Sequence, residues 1–425
     1  MEYLGEFRKQ WRPLAAASLG SAVSLPLFAY TNSAFAPHLI KEFGWSKAQF
    51  ALVGLAMLST LLILPLIGRF TDRFGVRKVA ILGTALVPLC FVAYSRMDGS
   101  FTSYVAIFIA VLAFGSMTGP LVYSRLIVEK FHRAKGLALT VVNSAPSLLA
   151  MILVPLLNVS ILQNGWRASY LLLGGVVLVI SVGAILLIPR RGGDAAAVSD
   201  AAAVAALPSS EAFRLILRSR VFWLILAGTF MCLIQIQLHA SQMNLMLIDN
   251  GLSTQQAAGM VSIYALSTVA GRIGCGLALD RFSTPVVTFV SMVLPAFGFF
   301  LLATDLDTYP VILVAMCLAG LSMGAESDLL GFLVARYFSM RIYATTLSLL
   351  FSASFLASAV GALLISASLQ RYGTFGPFLY GVAGSIFVGS LLFLFLPRGQ
   401  GDMIGDESLD ESHPKELPGL REMIA

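Results

Sequence analysis

The chain has 425 residues, 58% of them hydrophobic and only 12% charged, with a mean hydropathy of +0.85 and a formal net charge of +6. A water-soluble domain is roughly 45–50% apolar and about 25% charged, so this composition excludes one. The apolar residues come in long runs and not in ten-residue alternation, which excludes a membrane β-barrel.

In chain order, the polar start "MEYLGEFRKQWRP" argues against a cleavable signal peptide. Six apolar helices are then predicted at 14–37, 47–68, 78–96, 102–128, 136–161 and 168–189. Six more follow at 221–247, 256–279, 285–303, 309–335, 343–369 and 376–396. Each is long enough to cross a bilayer core of ~30 Å, which takes ~20 residues. Turn signals punctuate them: "DGS" at 98–100, "NGW" at 164–166, "DNG" at 249–251 and "YGTFGP" at 372–377.

A polar interruption at 190–220 divides the set, giving a bundle at 1–189, a linker, and a second bundle at 221–397. The Ala/Ser-rich part of the linker reads as flexible. Its end, "EAFRLILRSRVFW", reads as an amphipathic helix on the membrane surface. The acidic tail at 398–425 reads as disordered. With the N-terminus inside, the inner segments hold 21 Lys and Arg and the outer loops 5. Both termini are therefore expected in the cytoplasm, with the protein in the inner (plasma) membrane. The positive charge thus marks topology, and no nucleic-acid partner is expected.

An internal repeat shows through. "GWS" at 44–46 matches "GLS" at 251–253, "GRFTDRFG" from Gly68 matches "GLALDRFS" from Gly276, and "EKFHRAKGLAL" matches "RYFSMRIYATTL", all offset by 207 or 208 residues. Parallel duplication of this kind is known in transporters whose substrate site lies between the repeats.

The loop pattern Gly68, Asp72, Arg73, Gly75, Arg77, Lys78, with a partial second copy at Gly276, Asp280 and Arg281, resembles the cytoplasmic signature of the major facilitator superfamily. The resemblance covers about residues 14–397. It implies an all-α membrane protein of twelve helices in two pseudo-symmetric six-helix bundles. In the latch reading, Asp72 sits at a helix N-terminus, while Arg73, Arg77 and Lys78 bond across the bundles. Gly68, Asp280, Arg281 and the shallow Arg125 join that gating set.

Four ionisable residues lie well inside predicted spans: Arg125, Arg272, Glu326 and Asp328. Such residues are costly in lipid and are functional candidates by default. Glu326 and Asp328 point about 200° apart on a helix, so one is expected to face the cavity and the other to pair with a cation. Loss of water favours a neutral carboxyl and a nearby guanidinium favours a charged one, the balance a proton-coupled carrier needs. "AGRIGCGLALDRF" around Arg272 is similar to the eighth span of the monocarboxylate porters and the oxalate/formate-type carriers, as are "GAESDLLGFLVARYF" and "NGWRASYLLLG". That resemblance implies that Arg272 binds a substrate carboxylate, for which its fork is shaped. The animal porters carry Asp four residues before this Arg, where Thr268 stands here. Any proton role therefore falls to Asp328 or Glu326.

Tyr30 and Asn32 on span one, Tyr123 on span four, and His239 and Asn244 on span seven are further candidates for the cavity lining. The cysteines Cys90, Cys232, Cys275 and Cys317 lie in apolar runs without metal-ligand spacing, and no metal or cofactor is expected. Without a P-loop or a GxSxG motif, an enzyme is not expected either. The sequence reads as a monomeric secondary transporter of a small organic anion, a monocarboxylate, coupled to protons. The alternatives are an exporter or antiporter of amphiphilic metabolites or drugs on the same fold, and a membrane sensor that binds without transport.

Overall fold

The computed structural model describes residues 2–74, 76–119, 123, 126–127, 131, 135–188, 209–279, 281–304, 306, 308–339 and 342–397. All regular elements among them are helices. Ten are long and apolar enough to cross a membrane, and Phe101–Ser116 is a shorter apolar helix. One of the ten, Leu137–Leu187, is two spans. Gly165 interrupts it at φ 80°, ψ 161°, a backbone only glycine adopts readily. Eleven of the twelve predicted spans are thus present at membrane-crossing length among the described residues, and the fourth by its first part. The predicted linker and tail lie outside the described residues, except for a helix at Ser209–Arg218 that leaves Phe213 and Leu217 exposed.

Spans one, two and seven are broken internally. Span one is broken into Trp11–Ala22 and Leu25–Phe43. Ser24 between them is extended, and Pro26 in the first turn of the second piece has no N–H to continue the ladder. The Ser24 hydroxyl donates to the carbonyl of Ser21 at 2.6 Å, satisfying one of the acceptors that the break frees. Span two begins as Lys47–Ala51, tightens to a 3₁₀ helix at Leu52–Ser59 and resumes as Thr60–Phe74. Span seven runs from Arg220–Leu233 through a π turn at Leu238–Gln242 to Met243–Asp249.

Spans eight (Thr254–Leu279) and ten (Tyr309–Tyr337) lie in direct backbone contact. A Cβ on Gly271 would fall 1.9 Å from the Leu321 carbonyl oxygen, and one on Gly324 would fall 1.8 Å from that of Thr268. Close glycine seams suit membrane helices, where lipid gives no hydrophobic incentive to associate and packing must supply the attraction.

The halves meet at the end of the bundle that carries the 44–46 and 249–251 turns, hereafter the far end; the end that carries the Gly68–Lys78 loop is the motif end. At the far end Lys47 pairs with Asp249. Gln242 donates to the Lys47 carbonyl (3.4 Å), Gln237 to that of Ala51 (3.4 Å), and Asn158 to that of Thr254 (3.2 Å). Asn244 donates to the Ser33 hydroxyl at 3.1 Å.

Candidate functional site

Arg272 lies on span eight beside the glycine seam and is 9% exposed. Across the boundary between the halves stands Tyr30, on the second piece of span one. Its hydroxyl is 3.2 Å from Ser147 Oγ of span five and within hydrogen-bonding reach of the Thr268 hydroxyl, one turn before Arg272. Span one and span five thus meet span eight at a single buried group of hydroxyls and one cation.

Aromatic rings extend the group into the C-terminal half. Tyr264 meets Tyr30 edge-on at 6.0 Å and stacks on His239 at 4.8 Å. His239 Nε2 lies 2.9 Å from Gln235 Oε1, and the imidazole packs tilted against Phe299. His239 sits within the π turn of span seven, and π turns recur at functional sites because they re-aim side chains. Tyr30, Arg272 and His239, all candidates from the sequence, therefore belong to one cluster. Ser147, Tyr264 and Thr268 complete it. Only Thr268 had a sequence signal, as the departure from the porter pattern.

Other candidates lie elsewhere. Asn32 turns into the N-terminal bundle, where its Oδ1 accepts from the Tyr104 hydroxyl at 2.6 Å. Tyr123 is fully buried in the same bundle, its ring packed so tightly on Gly20 that a Cβ there would fall 2.0 Å from Cζ. Both were expected to line the cavity. Belonging to a cavity-lining span does not set the face a residue occupies, because successive residues turn ~100°. Asn244 serves as a far-end tie between the halves.

Glu326 is half-buried. It lines a hollow of about 10 Å³, room for roughly one water centre. Thr229 of span seven, Thr288 and Met292 of span nine, and Phe393 near the end of span twelve line it too. The carboxyl therefore sits inside the C-terminal bundle and not on the boundary. Position 328 falls one helical turn beyond Gly324, on the side of span ten that packs against span eight. The Asp328 side chain is not among the described ones.

Of the expected latch, Arg73 and Lys78 are exposed and Arg77 half-buried, with the Arg73 guanidinium 5.4 Å from the Phe74 ring centre; Arg281 is exposed. Arg125 and Asp280 lie outside the described residues, as do the side chain of Asp72 and the surroundings of Gly68. The described ties between the halves at the far end, with Lys47–Asp249 outermost, are gate-like contacts that the motif search did not find. Their sequence signal was the polar run on span seven, Asn244 included, which was read as cavity lining, and one cation and one anion in two loops.

Two helical bundles that meet over a buried cation, phenols and an imidazole, with helices long and apolar enough to cross a bilayer many times, define a multi-pass membrane protein. The family model of the Major Facilitator Superfamily matches residues 17–362, and the chain belongs to that family. It is 30% identical to monocarboxylate transporter 11 of Homo sapiens over 286 residues, 65% of this chain and 57% of that protein, so the match spans little more than half of the relative's length. Among solved structures, the D-xylose–proton symporter superposes with a TM-score of 0.70 at 14% identity, covering 92% of this chain and 99% of that one. The nucleoside transporter NupG gives 0.70 at 13% identity, over 90% and 98%. A bacterial homolog of the human lysosomal transporter Spinster, inward-facing and unoccupied, gives 0.60 at 17% identity, over 91% and 95%. These likenesses establish the fold.

Proposed function

We propose that the protein moves a small monocarboxylate together with a proton by alternating access. The observation that carries this reading is the buried Arg272 on span eight, one helical turn after Thr268, whose side chain lies within hydrogen-bonding reach of the Tyr30 hydroxyl of the opposite half. A guanidinium presents a planar fork of donors that matches a carboxylate. Hydroxyls of Tyr30, Ser147 and Thr268 add neutral donors around it. A ligand bridging Arg272 and Tyr30 contacts both halves at once, so its affinity changes when one half rocks against the other, the condition for coupling binding to conformation. The similarity to a monocarboxylate transporter supports the same substrate class.

For the proton, Asp328 is assigned as the acid coupled to Arg272, because its register position lies on the side of span ten that packs on span eight. When the substrate carboxylate takes the guanidinium, the acid loses its cation and binds a proton more readily. Glu326, off the boundary, holds a second protonatable site inside the bundle. The motif-end latch and the far-end ties alternate as gates, in a monomer with its termini in the cytoplasm.

The test is uptake into proteoliposomes. Labelled lactate, pyruvate or an aromatic acid accumulates under an inward proton gradient and fails to do so when the gradient is collapsed. Binding without flux would replace the carrier with a sensor. Flux of amphiphilic compounds with no carboxylate flux would make it an exporter of that class.

A further inference from the structure

The N-terminal bundle holds a second polar centre, separate from the boundary cluster. Asn32 on span one, Tyr94 on span three and Tyr170 on span six line a hollow of about 20 Å³, counted as room for water centres. Its remaining wall is largely aromatic, including Phe91 and Phe108. Tyr94 is 3% exposed and Tyr170 2%. Their rings stack at 5.0 Å, and Tyr94 also meets Tyr104, the donor to Asn32, at 5.3 Å. Among the described residues, the Tyr94 hydroxyl, the Tyr170 hydroxyl and Asn32 Nδ2 find no partner in the protein. Three polar groups buried around one small hollow call for a hydrogen-bonding partner, because an unpaired buried group is costly.

We propose that this hollow is an internal water site. One water needs roughly 10–15 Å³ by this measure and commonly makes about three hydrogen bonds to buried polar groups. Here it accepts from Asn32 Nδ2–H and from one tyrosine hydroxyl, and donates to the oxygen of the other. The bridge fastens span one to spans three and six. Asn32 follows Tyr30 by two residues, about 200° around the helix. Holding Asn32 inward therefore keeps Tyr30 turned toward Arg272, and the water positions the substrate site without touching it.

The sign of a conservative substitution tests this in the full chain. In a hydrated site, Tyr94→Phe and Tyr170→Phe each remove a bond to the water, and the thermal midpoint falls. In a dry hollow the same changes delete an unsatisfied hydroxyl, and the midpoint holds or rises. The double variant is expected to lose less than the sum of the singles, because both act through one water. Hydroxyl-radical labelling in ¹⁸O-water gives a direct readout. Tyr94 and Tyr170 are expected to take label well above Phe299, which is 1% exposed, and Asn32→Leu is expected to remove that excess. A raised or unchanged midpoint in the single variants, or labelling no greater than that of Phe299, overturns the proposal.

Discussion

The two halves share a plan and differ in what they bury. The N-terminal bundle keeps neutral polar groups inside it, namely Asn32, Tyr94, Tyr104 and Tyr170, joined by one short hydrogen bond and stacked rings. The C-terminal half keeps ionisable ones: Arg272 at the boundary, His239 in the π turn, and Glu326 in its own hollow. Neutral groups hold geometry regardless of proton supply. Ionisable groups respond to it. Among the described residues, one half is thus suited to shape and the other to charge, with Tyr30 and Ser147 as the N-terminal contribution to the shared site.

The largest effect is expected from Asp328→Asn, which removes a protonatable group from the charged half. Accumulation driven by a proton gradient is lost, while exchange of labelled for unlabelled substrate persists. Loss of both together, measured in the same vesicles, would break the division between binding and coupling. Arg272→Lys keeps the charge but not the fork. KM is expected to rise about 10- to 100-fold, the scale of losing a charge-assisted hydrogen bond of ~1.5–3 kcal/mol, in a protein that still inserts. An unchanged KM removes the anchor.

Tyr30→Phe sharpens the contrast between halves. Losing one neutral hydrogen bond of ~1 kcal/mol raises KM about fivefold, and by the same factor from acidic to neutral pH. A strongly pH-dependent penalty would place the phenol in the proton path. The smallest effect belongs to the far-end tie. Both partners are partly exposed, so Lys47→Glu is expected to shift the conformational balance by only ~0.5 kcal/mol, about twofold in accessibility of an engineered far-end cysteine. The swapped pair, Lys47→Glu with Asp249→Lys, restores it.

Much of the fold was legible in the sequence. Span length is set by bilayer thickness, and turns such as those at Gly165 and Gly251 need a left-handed backbone, φ 80° and 85° here. The breaks inside spans were not legible. The 3₁₀ run at Leu52–Ser59 packs where a Cβ on Gly54 would strike Gln237 at 2.3 Å, a contact between residues far apart in the chain. At the site, buried charge and lone polar residues stood out against apolar runs, which marked Arg272, Tyr30 and His239. Which face each residue takes depends on helix rotation, set by packing. Asn32, two residues from Tyr30, consequently serves the bundle interior instead of the boundary, and Ser147 passed as an ordinary small residue.

The wide turn at Leu238–Gln242 has an angular consequence. A π turn carries one surplus residue, so everything after it is set back by about 100° relative to an unbroken α-helix. Asn244 and Asp249, which meet Ser33 and Lys47, owe their azimuth to that insertion together with the break at Ile234–Gln235 before it. Span seven is in effect two rods with a phase offset: the first keyed to its own bundle, the second dialled round to face its counterpart.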